Sequence, residues 1–289
     1  MYELCTIGHI TLDKIQTPAS VSYMPGGTGF YMCKALQKLN INHLLITAVA
    51  ESEQYIVHAL QKDGSNVMCL ESEHTVYFEN IYGDNPDHRE QNVLHTATPF
   101  TIESMPVVDA VFFHLGPLLH GDISVELFKP LSLRGRVSLD VQGLLRYVSN
   151  RKVLYKNWEQ KAALQYVNVL KANEFELEIL TATTDVKEGA RYLAGLGVEE
   201  VVITLGSKGS LILADGVFLH IPAFTPANTI DTTGCGDTYM AGYLYQRIRG
   251  ANAYDAGLYG AAMATLKIES FGPFTETAAE IEKVIGTQS

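Results

Sequence analysis

The residues of this chain best suited to chemistry lie in Asp231–Leu244, DTTGCGDTYMAGYL, where two glycines, a cysteine and a carboxylate stand at the mouth of an apolar helix. A helix start needs a cap and tolerates an acid, but neither calls for Gly234, Cys235, Gly236 and Asp237 in succession. The N–H groups of a first helical turn have no partner within the helix. With the dipole behind them and no side chains in the way, they suit an anion such as phosphate. Met240, Leu244 and Ile248 recur at four-residue spacing, which anchors the helix in a core and turns its first turn outward. Asp237 then lies within reach of whatever the glycines hold, where a carboxylate can take the proton of an attacking hydroxyl during phosphoryl transfer. The same residues also suit a purely structural turn, with Asp237 complementing the dipole. The stretch is not a GxxxxGK[ST] phosphate loop, because no lysine follows the second glycine. A thiol at a helix start can be acidified, but no base partner stands near Cys235, whose backbone suits the cradle better than its sulfur.

Along the rest of the chain, short apolar runs alternate with helical patterns. LCTIGHI, HLLITAVA, DAVFFHLG, RVSLDVQG, YVNVLKAN and EVVITLG read as buried strands. GGTGFYMCKALQKL, SEQYIVHALQKDG, DVKEGARYLAGLG and CGDTYMAGYLYQRIRG read as helices. This alternation predicts an α/β domain with an open, mostly parallel sheet covered on both faces. Two stretches break the rhythm: residues 12–25 and 68–98 are polar, alternating and rich in β-formers, and are expected to form a small antiparallel lid. The aromatic run TVYFENIY suits the core of such a lid, and its edge strands offer a contact for a homodimer. VVITLGSKGSLILADGVFLHIPAF is punctuated like a meander, so one edge of the main sheet is expected to be antiparallel.

Composition narrows the function classes. The chain has 289 residues, 47% hydrophobic and 18% charged, enough for one large domain with a substantial core. A net charge of −11 without long Lys/Arg runs argues against a nucleic-acid groove or an anionic membrane surface. Cys5, Cys33, Cys69 and Cys235 show neither CxxC nor metal spacing, which fits a reducing, cytoplasmic setting. MYELCTIGHITLDKI lacks the pattern of an export signal, and no run approaches the about 18 apolar residues of a membrane span.

DTTGCGDTYMAGYL closely resembles the carboxy-terminal signature of the ribokinase-like (PfkB) family of carbohydrate and nucleoside kinases, down to the small residues Ala241 and Gly242. The resemblance runs along nearly the whole chain. It implies a three-layer α/β/α sandwich, an ATP and Mg2+ dependent reaction, and a small hydroxylated acceptor. By resemblance, Asp237 is the base that deprotonates the acceptor hydroxyl, and the Gly234, Cys235 and Gly236 amides stabilise the migrating phosphoryl group. Relatives usually carry alanine where this chain has Cys235. KANEFELEIL matches the family's NxxE element, in which Asn173 and Glu176 position Mg2+ and phosphate, often through water. An N-cap with acids in the first turn explains the same residues. TLGSKGSLI resembles the nucleotide loop, with Thr204, Gly206, Lys208 and Gly209 near phosphate or ribose; a hairpin turn explains these too. AAMATLKIESFGPF resembles the segment that closes over adenine and, with Asp231, contributes to a monovalent cation (K+) site in many relatives.

On the acceptor side, Asp13, Gly26 and Gly27 match the family's substrate elements, but Tyr31 stands where many relatives have a sugar-binding asparagine. In SLDVQGLLR, Asp140 and Gln142 are expected to point into the cleft, with Arg146 paired to Asp140 or gripping phosphate. DVQG-type segments are similar to those of inositol-kinase-like members, so a polyol acceptor is one expectation and a nucleoside or vitamin-like alcohol another. His9, His114 and His120 lack zinc spacing, and His88 and His95 fall in the lid. A non-catalytic sugar sensor on the same fold would have no need of Asp237 as a base. A dinucleotide-dependent reductase is disfavoured because no GxGxxG follows the first strand.

Overall fold

The apolar runs become strands whose side chains alternate between two cores. Leu4, Phe112, Val169 and Val202 point to one face, and their neighbours Cys5, Phe113, Leu170 and Val201 to the other. A strand buried on both sides in this way reads as continuous apolar sequence. The computed structural model describes residues 1–18, 20–82 and 89–286, and nothing of the Tyr82 and Arg89 side chains. His88 lies outside the described residues, as do Ala19 and 83–87 of the two expected lid stretches.

The main sheet has nine strands. Tyr2–Ile7 sits between Ala110–Leu115 and His43–Val49; Asn66–Glu71 closes the second side, and Arg136–Asp140, Val169–Asn173 and Glu200–Thr204 extend the first, all parallel. Ser210–Ala214 and Val217–Ile221 complete that side as the antiparallel meander read from its Gly-punctuated spacing. The chain reverses its direction of travel across the sheet between Tyr2–Ile7 and Ala110–Leu115, the kind of switch point at which open α/β sheets bind ligands.

One face carries helices Gly27–Leu36, Cys235–Ile248, Ala253–Ile268 and Ala278–Gly286, the other Glu174–Thr181 and Val186–Gly195. Among the described residues no helix is long and apolar enough to cross a membrane.

The second sheet differs from the expected antiparallel flap in three ways. Its order runs Arg146–Ser149, Lys152–Tyr155, Arg89–His95, Val76–Tyr82, Thr11–Gln16, Val21–Gly26, with the fourth and fifth strands parallel. Residues 68–71, expected in the lid, belong to the edge strand of the main sheet, paired in parallel with His43–Val49. The hairpin over 146–155 was not expected there; it turns through Asn150 and Arg151, both at positive φ (50° and 64°), a conformation that NR announces far less clearly than NG. Of the aromatic run, Phe78 is buried with Val76 and Val93, while Tyr77 is only partly buried.

In the tail, Ala261–Ile268 is the second half of a 16-residue helix capped by Asn252. Its small residues serve a close crossing: a Cβ on Gly242 would lie 3.1 Å from the Gly260 Cα, and one on Gly260 2.7 Å from the Tyr239 carbonyl. Side chains chosen for that approach give little helical periodicity to read.

Candidate active site

Three parallel strands bring motifs from distant sequence abreast. Lys171 is in register with Asp140, and Asn173 with Thr204, so the carboxyl ends of Arg136–Asp140, Val169–Asn173 and Glu200–Thr204 form one ledge. Lys171, buried in that ledge, donates from Nζ to Asp140 Oδ2 at 2.9 Å and lies 3.7 Å from Glu176 Oε2. The other Asp140 oxygen accepts from the Gln142 amide at 3.0 Å. Asn173 and Glu176 form a reciprocal capping box, each backbone N–H bonded to the other's side chain at 2.8 Å. Burial opposes the charge on Lys171, yet Asp140, Glu176 and Asp237 together hold its pKa above the ordinary lysine value. Burial also raises the Glu176 pKa, with Lys171 pulling the other way.

The mouth of helix Cys235–Ile248 sits over this ledge. Gly234 has φ +76° and no side chain caps the helix. A Cβ on Gly234 would fall 2.3 Å from Tyr31 Cδ1, and one on Gly236 3.3 Å from Lys171 Nζ. The glycines are thus needed because the backbone passes between an aromatic ring and an ammonium group. The Cys235 amide donates to the Thr232 carbonyl at 3.3 Å, so one of the three expected cradle amides already serves the turn.

Asp237 is half-buried and hydrogen-bonds to the Thr28 side chain. Desolvation and then the Asp140 carboxylate push its pKa up to about 7, against the opposing effect of Lys171. A Cβ on Gly116, just beyond Ala110–Leu115, would lie 2.1 Å from Thr28 Cγ2, which places Thr28 and its partner Asp237 at the switch point of the sheet. A carboxyl group of this kind can hold or release a proton near neutral pH.

On the opposite side, Asp13 accepts from the Thr11 hydroxyl at 2.8 Å. A Cβ on Gly26 would approach Asp13 Oδ2 to 2.7 Å, and Gly27, at φ +82°, would strike the His9 carbonyl at 2.5 Å. The Tyr31 ring is buried, and its hydroxyl has no hydrogen-bond partner among the described residues. Burial raises its pKa, reinforced by the charges of Asp231, Asp13 and Asp237. Asp13, Tyr31, Asp237, Gly234 and Gly236, distant in sequence, therefore share one neighbourhood.

Other expected residues lie further out or are differently engaged. Gly206 and Lys208 are exposed, and Lys208 Nζ lies 3.5 Å from Glu174 Oε1 beside the Asn173 junction. Gly209, at φ +88°, passes so close to the Ile221 carbonyl that a Cβ would be 2.0 Å away, as a tight turn requires. The ionic partner of Asp140 is Lys171 and not Arg146, whose Nη2 donates to Gln91 Oε1 and whose guanidinium lies over Phe78. Asp231 receives Lys267 Nζ on its carbonyl (2.9 Å) and its carboxylate (3.1 Å). Burial works against the Asp231 charge, but bonds from Thr233 and Lys267 keep its pKa below the ordinary value. Burial pushes the Cys235 thiol up to about 11, which keeps it protonated and poorly nucleophilic at neutral pH. His9 stacks on Phe100, His114 bonds Ser138 Oγ at 3.0 Å and His120 stacks on Tyr147.

Sequence reading passed over Lys171, Lys267 and Thr28. Lys171 stands two residues before Asn173 at the end of a buried strand, where a lysine is uncommon; that was an available signal. Lys267 and Thr28 offered none, since their partners are 36 and 209 residues away.

Residues 2–278 match the pfkB family of carbohydrate kinases. A nucleoside kinase of Methanocaldococcus jannaschii is 39% identical over 294 residues, spanning 94% of this chain and 92% of that one. A cytidine kinase of Thermococcus kodakarensis is 27% identical over 289 residues, spanning 96% of this chain and all of that one (100%). Among solved structures, a pyrophosphate-dependent kinase in the ribokinase family superposes with a TM-score of 0.87 at 26% identity, over 96% of this chain and 99% of the other. Sheet order, strand-end ledge and end-to-end similarity agree, and the chain belongs to the pfkB family of carbohydrate kinases, a phosphotransferase on the ribokinase fold.

Proposed function

We propose that the chain transfers the γ-phosphoryl group of ATP to a hydroxyl of a nucleoside or similar small sugar-like acceptor, with Asp237 as general base. The observation that carries this reading is the Asp237 carboxyl group, raised to about 7 and set at an uncapped helix mouth directly over Lys171. ATP and Mg2+ would supply the transferable phosphoryl group and the charge that neutralises it. The fold also holds a cleft of about 700 Å3 lined by Phe224, Leu266 and Val284 and by the acids Glu269, Glu276 and Glu280. Its volume is enough for a nucleotide base, and its lining residue Ser270 shares the Lys267 ammonium with Asp231, which leads into the helix mouth. Among the described residues no group of three or more His, Cys, Asp or Glu is arranged to hold a metal ion. Mg2+ would therefore ride on the phosphates, with Asn173 and Glu176 reaching it through water.

In this reading the Gly236 and Asp237 amides and the Lys171 ammonium hold the negative charge that grows on the phosphoryl oxygens. Asp13 and Tyr31 orient the acceptor, and Asp237 takes its proton as the hydroxyl attacks in line. Asp140 acts through Lys171, keeping the ammonium under Gly236. The second sheet would close over the acceptor and exclude water.

The nucleoside class rests on the two relatives that match nearly end to end. A polyol acceptor with pyrophosphate as donor is the second reading, favoured by a structural neighbour complexed with a pyrophosphate analog and myo-inositol at a TM-score of 0.86 and 26% identity. The test is product formation from cytidine, adenosine, ribose and myo-inositol, each with ATP or pyrophosphate, alongside Asp237→Asn. Turnover of a nucleoside with ATP, abolished in the variant, supports the reading. Turnover of inositol with pyrophosphate alone replaces it with the second, and undiminished turnover by Asp237→Asn removes the base.

A further inference from the structure

Lys267 is fully buried (0% exposed) near the carboxyl end of helix Ala253–Ile268, outside every role assigned above. Its Nζ donates to the Asp231 carbonyl at 2.9 Å, the Asp231 carboxylate at 3.1 Å and the Ser270 carbonyl at 3.4 Å, which accounts for all three ammonium hydrogens. The same Asp231 carboxylate takes the Thr233 amide at 2.9 Å and the Gly272 amide at 3.3 Å. The Ile230 and Asp231 amides both donate to the Ile268 carbonyl, at 2.8 and 3.2 Å. One ammonium group and one carboxylate thereby clamp residues 230–233, which lead directly into Gly234, to residues 268–272 at the edge of the nucleotide-sized cleft.

Backbone carbonyls and a carboxylate converging on one point form the kind of oxygen cage that holds a small cation. Asp231 was expected to belong to such a K+ site, and a neighbouring fold, at 16% identity and a TM-score of 0.76, is a phosphofructokinase-2 in complex with potassium. Here the donor set does not fit a free ion: the carbonyl and carboxylate of Asp231 already face a covalently attached positive charge. A second cation would meet Lys267 across the same two oxygens, with only one carboxylate to balance both charges. A buried ammonium is tolerated only when paired and fully hydrogen-bonded, and both conditions hold here.

We propose that the Lys267 ammonium is a built-in substitute for a monovalent cation, fixing the loop that enters the helix mouth, so that this enzyme is independent of K+. Lys267 is a positioning residue: it acts through Asp231 on the orientation of the Gly234–Asp237 amides and touches no reacting atom. The proposal rests on reading that helix mouth as the phosphoryl-binding site, and its test separates the two.

Melting temperature and Mg–ADP affinity by calorimetry are measured for wild type and Lys267→Met in KCl, NH4Cl and choline chloride at equal ionic strength. Wild type is expected to give the same values in all three salts. The methionine variant is expected to lose at least about tenfold in Mg–ADP affinity in choline chloride and to recover most of it, with a higher melting temperature, in KCl or NH4Cl. A merely structural lysine would give a variant that no cation rescues, which overturns the proposal. A wild type that gains melting temperature specifically from K+ overturns it equally, and needs no variant to fold. If wild type binds no Mg–ADP in any salt, the donor-site reading fails, while salt dependence of melting still decides the role of Lys267.

Discussion

On the strand-end side of Asp237 the charged groups answer one another, Lys171 to Asp140 at 2.9 Å and to Glu176 at 3.7 Å, with Asn173 and Glu176 locked in a capping box. On the Gly26–Tyr31 side the Tyr31 hydroxyl is buried without a partner among the described residues. An unpaired buried hydroxyl is costly, by about 1–3 kcal/mol, and a ligand group that bonds it recovers that cost. The first side is organised in advance around negative charge; the second holds polar capacity that the chain itself does not use. On the proposed function, charge handling would be built into the protein, and recognition of the acceptor would be completed by the acceptor.

Breaking the organised side has the largest expected effect. Asp237→Asn keeps the shape and removes the proposed base, so kcat for the acceptor identified in the panel should fall by about 10³-fold with little change in Mg–ADP affinity. Lys171→Met should lower kcat by about 10²-fold and weaken Mg–ADP binding, because Asp140 and Glu176 then face the phosphates without their cation; calorimetry and steady-state kinetics separate the two effects.

The pH dependence sharpens the same contrast. With Asp237 at about 7 in the folded chain, kcat/KM should drop about tenfold per unit as pH falls below that value, and Asp237→Asn should lose this limb. Stability should run the other way. The folded carboxyl group holds a proton that the unfolded one, at its ordinary 3.8, releases, so its stabilising contribution is full below 3.8 and is lost as pH rises to about 7. Asp237→Asn should therefore melt higher than wild type above pH 7.

Gly234→Ala tests the boundary between the two sides. At φ +76°, with the Tyr31 ring 2.3 Å from the new Cβ, even this small side chain should destabilise the fold by more than the about 1–2 kcal/mol of the backbone conformation alone, measured by denaturant unfolding. The smallest effect should come from Tyr31→Phe. Removing a hydroxyl without a partner leaves stability unchanged or slightly higher, while KM for the acceptor rises and Mg–ADP affinity stays constant. A fall in stability would show that the hydroxyl is satisfied within the chain.

The parallel core, the antiparallel meander and the helix mouth could be read in the sequence because each depends on neighbours: alternation along a strand, glycine at a turn, apolar spacing on one helix face. The GCGD stretch was legible for the same reason, since uncapped amides and an acid in one helical turn form a local arrangement. The division of the second sheet was not legible. Residues 68–71 have the composition of its strands, but the vacant parallel edge of His43–Val49 is a property of the assembled sheet.

Partnerships between charges were likewise decided by the tertiary structure. Arg146 and Lys171 are equally able to pair with Asp140; strand register put Lys171 opposite it and left Arg146 to Gln91 and Phe78. Asp237 carries an ordinary carboxyl group in sequence, and its shift to about 7 arises from burial and from Asp140, which lies 97 positions away. Which groups can do chemistry follows from residue type and local spacing. Their charge state and partners depend on distances between segments that only the folded chain brings together.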